Sequence, residues 1–304
     1  METMEKEKIR ATVRDRYGSI AKAERSTATA QKASPASCCS TSEIENNAFP
    51  LVSCCGTADA AAGQEASCCG TVDFSVEKMA AYMGKLGYSQ MDLNSAPDGA
   101  NMMLGCGNPV ALASLKPGET VVDLGCGGGF DCFLAAKEVG ETGHVIGVDM
   151  TSDMISKARK NAEKIQAKNV EFRLGEIEHL PIADNTADII MSNCVINLSP
   201  DKMSVYRDAF RVLKPGGRLA ISDVVATAPL PDDIKNNLAL LSACIGGAAT
   251  IADTEDMLRN AGFKEIRVTP KENSREIIRE WDPGKSKNVA DYVVSAYIEA
   301  GKLD

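Results

Sequence analysis

Six of the eleven cysteines stand in vicinal pairs, Cys38-Cys39, Cys54-Cys55 and Cys68-Cys69, each inside a Ser-Cys-Cys-(Ser/Gly)-Thr repeat. Vicinal thiols can carry electrons by closing and opening disulfides, and they can take up soft metals. Neither C-x-x-C spacing nor a histidine pair accompanies them, which disfavours a zinc knuckle. Two readings stay open: a vestigial or metal-scavenging tail, or redox thiols that reach a site elsewhere. Three further cysteines are isolated among turn residues: Cys106 in Gly105-Cys106-Gly107, Cys194 after Ser192-Asn193, and Cys244 before Ile245-Gly246-Gly247. Cys126 and Cys132 read as small buried apolar residues.

The second chemical feature is Val121-Val122-Asp123-Leu124-Gly125-Cys126-Gly127-Gly128-Gly129-Phe130-Asp131. It predicts a buried strand that breaks into a glycine turn and then a helix over Phe130 to Val139. Glycines there let a ligand approach backbone N–H groups at a helix N-terminus. The spacing is G-x-G-x-G. A dinucleotide fingerprint would need glycine where Phe130 stands, which argues against nicotinamide or flavin. His144 to Asp149 reads as the next strand, and Asp149 lies 24 residues beyond Gly125. A carboxylate there is placed to hold a ribose hydroxyl pair. The combination resembles the class I methyltransferases that use S-adenosylmethionine.

The elements that must position these residues form an alternating α/β series. After Asp149 come a helix over Thr151 to Ala167 and a strand over Val170 to Leu174. The loop Gly175 to Pro181 leads to a fourth strand, from Ala187 towards Leu198, that runs out past Asn193, Cys194 and Asn197. A helix over Tyr206 to Leu213 and a Lys214-Pro215-Gly216-Gly217 turn precede a fifth strand, Arg218 to Val225. The expected fold is a doubly wound, mostly parallel sheet of the class I methyltransferase type, with a small α+β C-terminal domain. The expected divisions are 1–75, a helix to about Ala23 and a segment too poor in large apolar groups to fold alone; 76–228, the cofactor domain; and 229–304. In the last, Ile234, Leu238 and Leu241 form a helical stripe that delivers Cys244, and Thr254 opens a helix stopped by Gly262. A helix over Ser274 to Trp281 lies between strands Lys264 to Thr269 and Val289 to Ile298.

Composition bounds the partners. A formal charge of −9 with 5% aromatics leaves no electrostatic footprint for nucleic acid. No apolar run is long enough to span a membrane, and the first residues lack a signal-peptide core. The expectation is a cytoplasmic protein with free or ligating thiols.

The Gly-Cys-Gly loop at Cys106, Ser192-Asn193-Cys194-Val195-Ile196-Asn197-Leu198, the isolated Cys244 and Glu176-Ile177-Glu178-His179-Leu180-Pro181 together resemble the prokaryotic arsenite S-adenosylmethionine methyltransferases over nearly the full chain. The resemblance implies that Cys106, Cys194 and Cys244 bind trivalent arsenic, with arsenite and methylarsenite as substrates, in arsenic detoxification. It implies a cofactor site of Asp123, Gly125, Cys126, Gly127, Asp149, Met150, Glu176, Ile177, Glu178 and Asn193. The family's more N-terminal cysteine has six candidates in the three pairs, Cys68 and Cys69 lying nearest its expected distance.

Trivalent arsenic is soft and prefers sulfur. Three thiolates complete an arsenic site but would leave a structural zinc site one ligand short. The arsenic lone pair carries no proton, so methyl transfer needs no general base, and neither Asp123 nor Asp223 is given that role. A further transfer on the same atom needs two electrons, which the paired thiols could supply and a thioredoxin or glutathione system restore. Two rival readings are a C- or O-methyltransferase of the menaquinone type, which leaves the three isolated cysteines unemployed, and a non-catalytic metalloid-binding protein, which would not require the glycine turn or Asp149.

Overall fold

The computed structural model describes residues 2–22, 76–235, 237–272, 274–281 and 289–303. Seven strands form one sheet in the order β3-β2-β1-β4-β5-β7-β6. They are β1 (Thr120–Leu124), β2 (His144–Asp149), β3 (Val170–Leu174), β4 (Ala187–Asn193), β5 (Leu213–Ala226), β6 (Lys264–Pro270) and β7 (Val293–Gly301). The first five run parallel, and β7 is antiparallel to both β5 and β6.

Strands β1, β2 and β4 are buried almost end to end, as parallel strands covered on both faces must be. Neighbouring residues divide between the faces. Val122, Ile146 and Ile190 pack on one side with Phe263 and Val205. Val121, Val145 and Ile189 pack on the other with Phe133 and Ala158. Each such side chain contributes about 1.5–3 kcal/mol on burial, against about 1 kcal/mol or less for an exposed ion pair. Burial therefore holds the sheet. A third apolar cluster includes Cys106, Cys194, Cys244, Val13 and Ile245.

The strand order reverses between β1 and β4, and the register brings the predicted site residues to one end of the sheet. Leu124 lies opposite both Val148 and Ser192, so Gly125, Asp149 and Asn193 follow at neighbouring strand ends. Asn193 is opposite Ser222, which brings Cys194 beside Asp223. Ser222 in turn faces Tyr297 across the antiparallel pair.

Several expected elements differ in detail. Val289–Tyr292 is a helical turn rather than strand, because pairing with β5 begins at Val293 opposite Ala226. The Ile234–Leu241 stripe is two short helices, Asp232–Lys235 and Leu238–Ser242. Asn237 starts the second by accepting the Leu240 N–H on its side chain, 3.2 Å. The Lys214–Gly217 turn is absorbed into β5 as an irregularity with Gly216 at φ +76°. The segment after residue 229 supplies helices and β6 and β7, and both strands continue the one sheet. No helix of the described residues is long and apolar enough to cross a membrane.

Thr250, rather than Thr254, caps the helix Ile251–Ala261: its hydroxyl accepts the Asp253 N–H. Thr254 is inside the first turn and donates back to the Thr250 carbonyl. Thr250→Ala should lower stability by about 1 kcal/mol, read as a lower urea midpoint at unchanged slope.

Candidate active site

Three glycines of the turn after β1 adopt positive φ: Gly125 at +71°, Gly127 at +51° and Gly129 at +90°. A Cβ on Gly127 would meet nothing within 4 Å, so this part of the turn faces open space. That space is a cleft of about 1090 Å³ including its mouth. Its wall includes Asp123, Gly125, Cys126, Gly127, Asp149, Met150, Ile177, Glu178, Asn193 and Cys194. Asp149 accepts the Gly127 N–H at 3.0 Å and the Thr151 N–H at 2.8 Å, joining the glycine turn to the end of β2. Burial raises its pKa, and the same two N–H groups oppose the rise. Asp123 lies beneath the turn and accepts from the Cys132 thiol, 3.2 Å. Burial raises it, with the charge of Asp131 adding.

Nine of the ten residues expected at the cofactor line this cleft. Glu176 instead faces the N-terminal helix Glu2–Lys22, in ion pairs with Arg10 at 3.4 Å and Arg14 at 3.7 Å. Glu178 is buried, accepts from the Ser199 hydroxyl at 2.7 Å, and pairs with Arg10 at 3.4 Å.

The three isolated cysteines come from three loops and meet beside the cleft. All are buried free thiols. The sulfurs of Cys106 and Cys194 and a carboxylate oxygen of Asp223 lie within 4.8 Å of one another. The Cys244 thiol donates to the Cys194 carbonyl at 2.7 Å. Burial pushes the Cys194 thiol well above its ordinary value, and hydrogen bonds with the Cys106 and Cys244 thiols add to the rise. Cys194 and Cys244 both have left-handed backbone, φ +60° and +63°. A non-glycine residue held there costs about 1–3 kcal/mol and persists only where its surroundings impose it. At Cys194 they do so through β5, whose Ser222 carbonyl accepts the Cys194 N–H. Asn197 braces the Cys244 loop: its Nδ2 lies within hydrogen-bond distance of Asp223, the Val224 carbonyl and the Cys244 carbonyl.

The glycines around Cys106 have a steric cause. A Cβ on Gly105 would come within 2.5 Å of the Asn193 side chain, and one on Gly107 within 1.8 Å of Lys271. The Cys106 N–H donates to Asn193 Oδ1 at 2.9 Å. Its carbonyl accepts from Lys271 at 2.9 Å and from the Ser295 hydroxyl at 3.0 Å. Asn193 Nδ2 lies 3.0 Å from Asp131, 3.0 Å from the Tyr88 hydroxyl and 2.8 Å from the Gly107 carbonyl. Tyr88 donates to the other Asp131 oxygen at 2.6 Å.

Sequence reasoning missed Arg10, Tyr17, Tyr88, Asp131, Lys271 and Ser222. Tyr17 had a signal, its helical spacing from Val13, but that spacing reports only a buried face. In the structure its hydroxyl donates to the Ser242 carbonyl at 3.4 Å, and burial pushes its pKa up, with the neighbouring Cys244 adding to the rise. The six paired cysteines lie outside the described residues.

The comparisons agree with this geometry. A methyltransferase domain model matches residues 115–262. The chain is 47% identical over 296 residues to the arsenite methyltransferase of Halobacterium salinarum, covering 97% of this chain and 67% of that protein. The chain belongs to the arsenite methyltransferase family. It is an S-adenosylmethionine-dependent methyltransferase of the class I fold. Over 179 residues it is 44% identical to the arsenite methyltransferase of Aquipseudomonas alcaligenes, covering 57% of this chain and 51% of that one. An arsenic(III) S-adenosylmethionine methyltransferase from Chlamydomonas reinhardtii superposes with a TM-score of 0.53 at 30% identity, over 74% of this chain and 73% of that one. The chain thus spans about two thirds of the first relative's length and about half of the second's.

Two tests follow for this family member. Asp149→Ala should weaken S-adenosylmethionine binding by about 1–3 kcal/mol through lost charged hydrogen bonds; unchanged affinity by calorimetric titration would remove Asp149 from the cofactor site. Burial pushes Asp131 up to about 6, against hydrogen bonds from Tyr88 and Asn193. Between its ordinary pKa and that value the folded chain binds more protons than the unfolded chain, so stability falls as pH rises. Asp131→Asn should remove about 3 kcal/mol of that fall between pH 4 and 7, measured as the difference in unfolding free energy from wild type across the range. A difference independent of pH would show that Asp131 does not titrate there.

Proposed function

We propose that this enzyme transfers methyl groups to trivalent arsenic held by Cys106, Cys194 and Cys244, with arsenite and methylarsenite as substrates. The observation that carries the reading is the convergence of buried cysteines from three separate loops on Cys194, which lies in the wall of the cleft that also contains the glycine turn and Asp149. A C- or O-methyltransferase has no use for that convergence.

The residues present suit S-adenosylmethionine. The open face of Gly127 admits a ligand against backbone, Asp149 offers a carboxylate for ribose hydroxyls, and Met150 and Ile177 offer apolar surface for a flat ring. When bound, the cofactor supplies an electrophilic methyl group on a sulfonium sulfur. The chain's part is positioning. Each thiol displaces one arsenic hydroxide: an As–O bond breaks, an As–S bond forms, and the thiol proton leaves with the hydroxide as water. Three such exchanges leave the arsenic pyramidal, with its lone pair directed away from the sulfurs. That lone pair is the nucleophile, so no residue has to remove a proton from it. Holding it in line is catalysis by orientation.

Asp223 stands near the thiols as a scaffold rather than a base. Its carboxylate accepts N–H groups from Ile196 and Val224 and the Asn197 amide. Burial pushes it up to about 6, against those hydrogen bonds and the charge of Lys202.

Methyl transfer takes arsenic formally from the trivalent to the pentavalent state. Return to the trivalent state takes two electrons, supplied when two thiols close a disulfide and release two protons. The reading assigns this to the pairs Cys38-Cys39, Cys54-Cys55 and Cys68-Cys69, with thioredoxin or glutathione restoring the thiols.

Arsenic speciation after incubation with arsenite, S-adenosylmethionine and a thiol reductant tests the whole reading; absence of methylated arsenic would end it. Cys194→Ser or Cys244→Ser should abolish methylation of arsenite. Methylarsenite offers only two exchangeable positions, so Cys106→Ser should lose more activity on arsenite than on methylarsenite. Replacing all six paired cysteines should leave a single turnover intact while slowing the steady state. Full steady-state rates in that variant would refute the redox role. Loss of arsenic binding would mean that one of the six is a ligand.

A further inference from the structure

Cys106 is pinned at both of its peptide groups. Its N–H donates to Asn193 Oδ1, at the end of β4, at 2.9 Å. Its carbonyl accepts from Lys271 Nζ at 2.9 Å and from the hydroxyl of Ser295, in β7, at 3.0 Å. With both neighbouring peptides held, the side chain leaves the loop in one direction, and its sulfur lies within 4.8 Å of the Cys194 sulfur. Cys194 and Cys244 are braced by other groups. The Cys194 N–H donates to the Ser222 carbonyl at 2.8 Å, and the Cys244 carbonyl lies 3.2 Å from Asn197 Nδ2.

Lys271 does more than hold a carbonyl. Its Nζ also lies 3.3 Å from Ser222 Oγ, and that oxygen lies 3.5 Å from the Cys106 sulfur. An ammonium offers donors and no acceptor. The serine oxygen therefore accepts from Lys271, and the serine's own hydrogen is left for the sulfur. Ser222 and Cys106 are both fully buried, so water does not compete for either group. The ammonium is itself fixed. The Lys271 N–H donates to the Ser295 carbonyl at 2.8 Å, and Nζ stands 4.1 Å from the Tyr297 ring centre, within cation–π range. A Cβ on Gly107 would overlap Nζ, so glycine at that position is what admits it.

We propose that Lys271, acting through the Cys106 carbonyl and the Ser222 hydroxyl, is a positioning residue that sets the third thiol and so favours arsenite over arsenic that already carries a methyl group. The inference rests on the three-thiol reading of the site. Arsenite has three hydroxides to exchange and uses Cys106. Methylarsenite has two, and Cys194 and Cys244 suffice to hold it. Without Lys271 the Cys106 carbonyl loses its charged donor, and the serine hydroxyl is free to turn away from the sulfur. The penalty then falls on the substrate that needs the third thiol. The C-terminal strands thereby take part in substrate choice, since Lys271 follows β6 and is held to β7.

The test compares full-length wild type, Lys271→Met, Ser222→Ala, Cys106→Ser and the Lys271→Met/Cys106→Ser double variant in single-turnover methylation of arsenite and of methylarsenite. Lys271→Met should lose about tenfold in kcat/KM on arsenite, as expected for one hydrogen bond from a charged donor, and keep its rate on methylarsenite. Ser222→Ala, which removes a single oxygen, should shift the ratio of the two rates in the same direction. In the Cys106→Ser background, Lys271→Met should change neither rate further, because the residue it serves is gone. Equal losses on both substrates in Lys271→Met, or a further loss in the double variant, would overturn the inference and leave Lys271 a prop of the fold. Wild-type rates on arsenite in Lys271→Met would overturn it as well. Should Lys271→Met melt below the assay temperature, the ratio in Ser222→Ala decides by the same rule. Failure of the three-thiol reading shows in a different chain: Cys106→Ser would then keep the wild-type ratio of the two rates, and the inference would fall with it.

Discussion

The side-chain amide of Asn193 joins the two halves of the site. Its oxygen accepts the Cys106 N–H, and its nitrogen has Asp131, Tyr88 and the Gly107 carbonyl as acceptors within 3.0 Å. Two hydrogens cannot serve three acceptors at full strength, so the Tyr88 hydroxyl, which donates to Asp131, shares the arrangement as relay. The thiol loop is thereby tied to the first turn of the helix that follows the glycine turn. Asn193 is the last residue of β4, whose position is set by parallel pairing with β1 on one side and β5 on the other. Sheet register thus reaches the thiols through this amide, together with the Ser222 carbonyl on Cys194 and Lys271 and Ser295 on the Cys106 carbonyl. A serine or leucine at 193 would leave several buried polar groups without partners, each costing about 1–3 kcal/mol.

The same logic explains why much of the fold could be read from the residues. The helix Phe130–Val139 and the strands His144–Asp149 and Val170–Leu174 lie where apolar runs and turn residues put them. These are local signals: a strand core, a glycine turn, a helix stop. The Gly-Cys-Gly loop was visible as a motif, but its steric cause was not. That cause lies with Asn193 and Lys271, far along the chain and brought together only by pairing. Lys271 sits at the end of β6, where its Nζ lies 4.1 Å from the Tyr297 ring centre and donates to the Cys106 carbonyl. Nothing in the periodicity of β6 or β7 announces an antiparallel insertion beside β5. Nor does the periodicity of residues 2–22 say where that helix docks. Its cationic stripe reads as a solvated face, and only the acidic rim opposite turns it into an attachment.

Strain and burial around the thiols follow from one requirement. Cys194 leaves β4 at the sheet's open end, and a left-handed residue there turns the chain sharply into the short helix Ile196–Leu198. Cys244 turns in the same way beyond Leu238–Ser242. Each cysteine is held by hydrogen bonds from a neighbouring element rather than by its own propensity. Such positions are costly to keep unless the fold over-determines them, and here β5, Asn197 and Asp223 do so.

Burial of the thiols also bears on which ion the site suits. A divalent zinc ion bound by three thiolates would bury a net negative charge and need a fourth ligand. Asp223 is near enough to be that ligand, although its carboxylate already accepts three N–H donors. Arsenite makes no such demand. Exchange of each hydroxide for a thiol returns water and leaves a neutral complex, so the raised pKa of Cys194 is no obstacle to the product state. Val13, Leu198 and Ile245 pack in one cluster with the three cysteines, apolar surroundings that accommodate a neutral arsenic–sulfur pyramid. The selectivity of the proposed site thus lies as much in what burial forbids as in the softness of sulfur.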